Sequence, residues 1–231
     1  NRLAQRVSAA LSVATASGPL YEIDTRLRPS GAQGPLSVSL DGFARYQRES
    51  AWTWEHMALT RARPIFGSPA ARSATADVID GVLRGDRPTR DVAADAFAMR
   101  GEMAANKPPA GPLDAKLLPG GLVDLEFAVH ITQLVNRAGF DADLARAIDL
   151  LASADLAPPS IGPAAHFLTR MLVTLRLVAP DSRPPAPATR ALIAAALDCD
   201  DWDAVVARFE ATRQDVSDYL AATTGAGDDH Q

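Results

Sequence analysis

Apolar residues recur at helical spacing along most of the chain, and only two short runs break that period. Leu3, Val7, Ala10, Leu11 and Ala14 share one face, which predicts a helix ending near Ser17-Gly18-Pro19. Residues 20–24 (Leu-Tyr-Glu-Ile-Asp) and the alternating run Leu36 to Leu40 have strand character. The Gly/Pro-containing turn between them predicts a hairpin or two neighbours of one small sheet. Asp41 is the expected N-cap of a helix over 42–50. Helical periodicity then continues over 51–63, 69–85, 89–107, 122–137, 143–156, 161–179, 187–198 and 201–224. The segment 122–137 is apolar on most faces and reads as a well-buried helix. Pro-rich connectors at 158–163 and 180–188 punctuate these helices, and no repeat of solenoid period is present. The pattern is mainly α (α+β): a short sheet edge followed by a helical bundle, with 224–231 as a flexible tail.

Composition narrows the classes available. Apolar residues make up 47% and charged residues 22%, ordinary for a soluble globular protein. Aromatics are only 6% and alanine is abundant, which predicts a core of small-residue helix contacts. A net charge of −5 argues against a general nucleic-acid binder, so any phosphate site must be a local basic pocket. Cys199 is the one cysteine, which excludes an internal disulfide and is consistent with a reducing, cytoplasmic setting. No apolar run approaches the ~20 residues of a membrane span, and the N-terminus has no signal-peptide pattern. The chain opens at Asn1 in what reads as mid-helix, so a preceding segment is expected.

Motif chemistry is mostly eliminated. The phosphate loop G-x-x-x-x-G-K-[ST], a strand-following G-x-G-x-x-G and the nucleophile elbow G-x-S-x-G are absent. The four histidines are scattered without zinc-ligand spacing, and His130 and His166 read as core or boundary residues. Carboxylate and arginine chemistry remains. Two-metal nucleotidyl transfer needs clustered acidic oxygens holding ions about 3.5–4 Å apart. Such sites combine an Asp-x-Asp pair on one strand with a third Asp on the next, and Asp24 at a strand end fits the third place. No strand-borne pair accompanies it. Asp77 and Asp80 lie within a helix, while Asp141/Asp143 and the acidic run 198–203 sit where helices begin and read as caps.

Beside Asp24, Arg26 and Arg28 can offset phosphate charge or pair with acids, and a strand-end salt bridge is the alternative for all three. Arg61 and Arg63 fall at a helix end, where phosphate contact and capping are both open. Lys116, Gly120, Gly121, Asp124 and Glu126 form a compact polar group ahead of the buried helix. Glycines there can approach a phosphate closely, whereas Asp124 and Glu126 can be catalytic or only complement the helix dipole. Phe43, Trp52 and Trp54 are read as core rather than as an adenine sandwich.

The long run from Tyr21 to Gly67, with "RLRPSG", "WTWEH" and "RARPIFG", and the later "GGLVDLEF" (120–127), resembles the glutamine synthetase adenylyltransferases. The first run is more similar to that family's C-terminal, adenylylating half. The resemblance implies a nucleotidyltransferase that moves AMP from ATP to a tyrosine of glutamine synthetase, with Mg²⁺ or Mn²⁺, regulating nitrogen assimilation. It implies Asp24 as the third metal-binding acid and Arg26, Arg28, Arg61, Arg63, Lys116, Gly120 and Gly121 as nucleotide contacts. Glutamine synthetase, the PII signal protein and the effector glutamine are the partners implied. Residues 1–105 then read as the C-terminal part of a nucleotidyltransferase domain and 106–223 as a helical bundle domain. The family's Gly-Ser and Asp-x-Asp elements are not in this chain, so the chain alone is expected to be inactive. The alternative is a non-catalytic helical module that docks glutamine synthetase or PII.

Overall fold

The computed structural model describes residues 2–19, 23–86 and 89–225, and it is mainly helical. Contacts divide the chain into two compact units, Asn1–Leu83 and Arg84–Gln231. In the first, α1 (Arg2–Ser12) leads to a minimal hairpin, β1 (Ala14–Thr15) and β2 (Gly18–Pro19), paired antiparallel. A 3-10 turn at Gly31–Gln33 precedes α2 (Leu40–Glu49), α3 (Thr53–Leu59) and α4 (Pro69–Leu83), and both α2 and α3 pack on α4.

Strand content differs from the sequence expectation in position and extent. The first helix stops at Ser12, because Thr15 and Gly18 close a tight turn: Thr15 Oγ1 donates to Gly18 O at 2.7 Å and Gly18 adopts φ 92°. Residues 20–22 of the first predicted strand lie outside the described residues, and Ile23–Asp24 are irregular. The run 36–40 forms no strand. It is the extended lead-in to α2, where Ser39 rather than Asp41 is the N-cap: its Oγ accepts the Gly42 amide at 3.1 Å. Alternation alone cannot make a strand when no neighbouring segment takes its backbone hydrogen bonds.

The second unit contains α5 (Thr89–Asn106), α6 (Leu122–Asn136), α7 (Leu144–Ser153), α8 (Ile161–Val178), α9 (Pro187–Ala196) and α10 (Trp202–Gly225). The contact division groups α5 with α6 and α10, whereas the sequence reading placed residues 84–105 with the first part. Helix α6 is buried around most of its circumference, as its apolar composition requires. Leu125, Ala128 and Val129 meet Leu168 and Met171 of α8, and Val205, Phe209 and Val216 of α10, in one core cluster. Tyr219 reaches in from α10 and its phenol donates to Thr132 Oγ1 at 2.8 Å, so its polar tip is paired in the core. The acidic helix starts are caps: Asp143 Oδ1 accepts the Arg146 amide at 3.0 Å and Asp201 Oδ1 the Ala204 amide at 2.8 Å.

Phe209 is 2% exposed at the centre of this cluster. Phe209→Ala is expected to cost about 3–5 kcal/mol, read as a shifted urea midpoint with the helical circular dichroism of the folded state preserved.

Candidate functional site

Asp24 lies on an irregular loop and is held by a single neighbour. The Arg26 amide donates to Asp24 Oδ1 at 2.8 Å, Arg26 Nε sits 3.0 Å from both carboxylate oxygens, and Nη2 donates to Oδ2 at 2.6 Å. Both side chains face solvent, at 56% exposure for Asp24 and 82% for Arg26. The Arg26 guanidinium, and then its amide, hold the Asp24 carboxyl at about 2, well below its usual range. A depressed carboxyl pKa means that this pairing is complete above the ordinary carboxylate range and is lost as pH falls toward that value.

Arg28 points back onto the same loop. Its Nη1 donates to Thr25 O and, at 3.0 Å, to Thr25 Oγ1, while Nε and Nη2 reach Gly34 O and Ala32 O at 3.4 Å. Ser30 and Gly31, both left-handed, turn the chain so that these carbonyls converge on the guanidinium. Gly34 is required there, since a Cβ would stand 2.0 Å from Pro29 O.

Beside this loop, α2 and α3 enclose a cleft of about 390 Å³ lined by Arg28, Phe43, Gln47, Glu55 and Arg61 among others. Glu55, 9% exposed, accepts both the Tyr46 phenol (3.0 and 3.1 Å) and the Trp52 amide (3.0 Å), tying the start of α3 to α2. His56 Nε2 and Gln47 O, 2.9 Å apart, make a second tie. The Gln47 side chain is different: the residue is 6% exposed, lines the cleft, and its Oε1 has no hydrogen-bond partner among the described residues. Arg28 and Arg61 therefore share one concavity, while Arg63 is exposed beyond α3. Trp52 and Trp54 are not core: they are 69% and 36% exposed, because α3 turns Met57 and Leu59 inward instead. Sequence reasoning missed Gln47 and Glu55. Glu55 carried a signal, an acid three residues after a helix start, and Gln47 shares the inward face of Phe43 and Ala44 at i+4 and i+3.

The other predicted residues lie in the second unit and serve its backbone. Asp124, 6% exposed, pairs with Arg100 of α5 and accepts the Gly120 amide at 2.7 Å. Gly120 (φ 74°) faces α10 so closely that a Cβ would stand 2.0 Å from Arg213 O. A Cβ on Gly121, the N-cap of α6, would meet Ala115 O at 2.8 Å. Both glycines thus spend their close approach on the protein itself. Lys116 is exposed beside a concavity of about 200 Å³ with Lys107 and Arg176, and its amide donates to Asp114 Oδ1 at 3.0 Å. Glu126 is half-buried on α6.

No group of three or more His, Cys, Asp or Glu able to hold a metal ion occurs among the described residues. Asp24 supplies one carboxylate, with both oxygens on Arg26. This donor set does not fit a divalent-ion pair by itself. No helix among the described residues is long and apolar enough to cross a membrane.

A mainly helical chain with an acid–guanidinium loop beside a basic-edged cleft is the class that fold and site define. The sequence model of the glutamate-ammonia ligase adenylyltransferase family matches residues 1–78. The chain is 44% identical over 190 residues, 78% of its length, to the bifunctional glutamine synthetase adenylyltransferase/adenylyl-removing enzyme of Brucella suis. Identity is 38% over 93% of the chain to the enzyme of that description from Bradyrhizobium sp. BTAi1, and 37% over 96% to that from Bradyrhizobium sp. ORS 278. The chain is thus a relative of the glutamine synthetase adenylyltransferases along most of its length, and its first 78 residues carry that family's domain. It spans 19%, 23% and 24% of the three relatives' own lengths.

Two outcomes follow from this geometry. Arg26→Ala should return the Asp24 carboxyl from about 2 toward its usual 3.8, seen in a carboxyl-detected NMR titration; an unmoved midpoint would show that Arg26 is not the cause. Gly120→Ala should destabilise the second unit by about 3 kcal/mol or more, from overpacking and left-handed backbone together. A denaturant melt within experimental error of the parent would contradict the close approach to α10.

Proposed function

We propose that this chain is part of an adenylyltransferase that moves AMP from ATP to a tyrosine of glutamine synthetase. The observation that carries the reading is similarity to bifunctional glutamine synthetase adenylyltransferases over 93–96% of the chain. In the reaction the tyrosine oxygen loses its proton and bonds to the α-phosphorus, while the bond from that phosphorus to the bridging oxygen of pyrophosphate breaks. The role of this chain is to hold the nucleotide. Arg61 edges the cleft beside Arg28, whose positive charge adds to it while its hydrogen bonds stay on its own loop, and Asp24 is an ionised carboxylate on the adjoining loop. A Mg²⁺ or Mn²⁺ ion, when bound, neutralises charge developing on the phosphates. On this chain Asp24 could give it one ligand, so further acids are needed and the chain alone is inactive. Gly120 and Gly121 act on this reading in shaping the second unit, and the exposed Lys116 beside them is its candidate phosphate contact. PII and glutamine are, on this proposal, its regulatory inputs.

Asp24→Asn, made in the longest encoded polypeptide containing these residues, tests the proposal. Asparagine keeps the shape and removes the charge that a hard cation needs. Labelling of glutamine synthetase from radioactive ATP should fall roughly 100-fold, the scale of losing one preorganised electrostatic group. Removal of AMP from modified glutamine synthetase, the other activity named for the relatives, should persist and report an intact fold. Adenylylation at the parent rate would leave Asp24 as a salt-bridge partner only. Binding of glutamine synthetase by the chain without any AMP transfer, even in the longest polypeptide, would favour a docking module.

A further inference from the structure

We propose that Gln47 reads the base of the bound nucleotide and sets a preference for adenine over guanine. This rests on the adenylyltransferase reading above and assigns part of that site to a residue that neither sequence motif nor kinship singles out.

The case starts from hydrogen-bond accounting. Gln47 is 6% exposed, and its Oε1 is buried without a partner among the described residues. Burying an amide oxygen with nothing to bond is unfavourable, and folded proteins avoid it. An apolar side chain of similar size would fill the same space without that penalty. The other polar groups of the cleft are accounted for differently. Glu55 is committed to the Tyr46 phenol and the Trp52 amide, and Arg28 to the carbonyls of its own loop. The position of Gln47 is itself fixed, because its backbone carbonyl is tied to His56 Nε2 at 2.9 Å. An orphaned acceptor on a residue whose backbone is held in place and which lines the cleft is suited to receive a donor from a ligand.

The chemistry of the wall selects the ligand. A carboxamide offers one acceptor and one donor side by side, and a half-turn of the amide exchanges them. Its complement is an edge carrying a donor next to an acceptor. The orphaned Oε1 calls for a donor: adenine presents one at its exocyclic amine, where guanine presents the O6 acceptor and can meet a carboxamide only through O6 and N1–H. Phe43, Leu27 and Leu59 line the same cleft and give the apolar surface that a flat ring requires, and Arg61 at its edge supplies charge for phosphates. A cleft of about 390 Å³ lies within the ~300–1,000 Å³ usual for small-molecule sites.

The experiment uses the longest encoded polypeptide with Gln47→Leu and, separately, Gln47→Met. Both keep side-chain bulk and remove the amide. ATP and GTP affinities are measured by displacement of a fluorescent ATP analogue, and KM and kcat by transfer of AMP to glutamine synthetase. The expected result is a rise of about tenfold in KM for ATP with kcat changed less than twofold. A similar fall is expected in the preference for ATP over GTP. The melting temperature should hold or rise, since an unsatisfied buried amide has been replaced by carbon. Unchanged ATP affinity and unchanged base preference in either folded variant overturn the proposal, as does a collapse of folding in both. Parent protein that neither binds ATP nor transfers AMP removes the functional reading and this one with it. A parent that does both, alongside indifferent variants, removes this one alone.

Discussion

Asp124 brings a carboxylate into the interior of the second unit, where an uncompensated charge would be prohibitive. Its two oxygens are answered from opposite directions, by the Arg100 guanidinium of α5 and by the Gly120 amide of the turn before α6. Arg100 continues through Nη2 to Leu117 O at 3.4 Å, so the same ion pair also steadies the chain entering that turn. Because the turn is fixed, Gly120 can lie against the α10 backbone, and α10 can close over α6 with Phe209 and Val216 inside. Such a pair adds little net stability over a well-packed apolar alternative, but losing one member leaves a charge stranded. Its value is therefore in specifying one arrangement of α5, α6 and the loop between them.

The same device recurs on a smaller scale. Asp114, 6% exposed, accepts the amides of Ala110, Lys116 and Leu117, and Glu55 accepts the Trp52 amide. Each buried acid takes backbone donors that a turn or a helix start would leave without partners. Acids that sequence reading could assign to catalysis are thus divided by their surroundings. Buried ones are occupied within the protein, whereas Asp24 lies on an exposed loop and takes the guanidinium of the second residue along.

That division explains which parts of the molecule were legible beforehand. Helices α4 to α10 follow from apolar spacing and from caps such as Asp143, because both signals are local. The run 36–40 misled because alternation is also local, whereas strand formation depends on a partner segment elsewhere. Gly120 and Gly121 were read as a phosphate approach since glycine reports only that something comes close. The something is Arg213 O, 93 positions away in sequence and invisible without the fold. Trp52 and Trp54 were read as core rather than as an adenine sandwich, yet α3 is short and its inward positions go to Met57 and Leu59. Gln47 carried no motif, and its significance is a missing hydrogen bond, which only coordinates can show.

On the adenylyltransferase reading, the exposed Asp24–Arg26 pair has to separate. Its geometry is close to ideal, with the guanidinium straddling both carboxylate oxygens, but both groups are fully hydrated on release and gain little from one another in high dielectric. The exchange is therefore close to balanced before a nucleotide arrives. A phosphate offers Arg26 a more highly charged bidentate acceptor of the shape it already grips. Asp24, held near pKa 2 by the partner it gives up, regains an ordinary carboxyl pKa and still remains ionised at neutral pH. Arg28 cannot exchange in this way, since its nitrogens face carbonyls of the loop it shapes. The two arginines that stand two residues apart in "RLR" thus divide the work: one is free to change partners, and the other keeps the loop in place while it does.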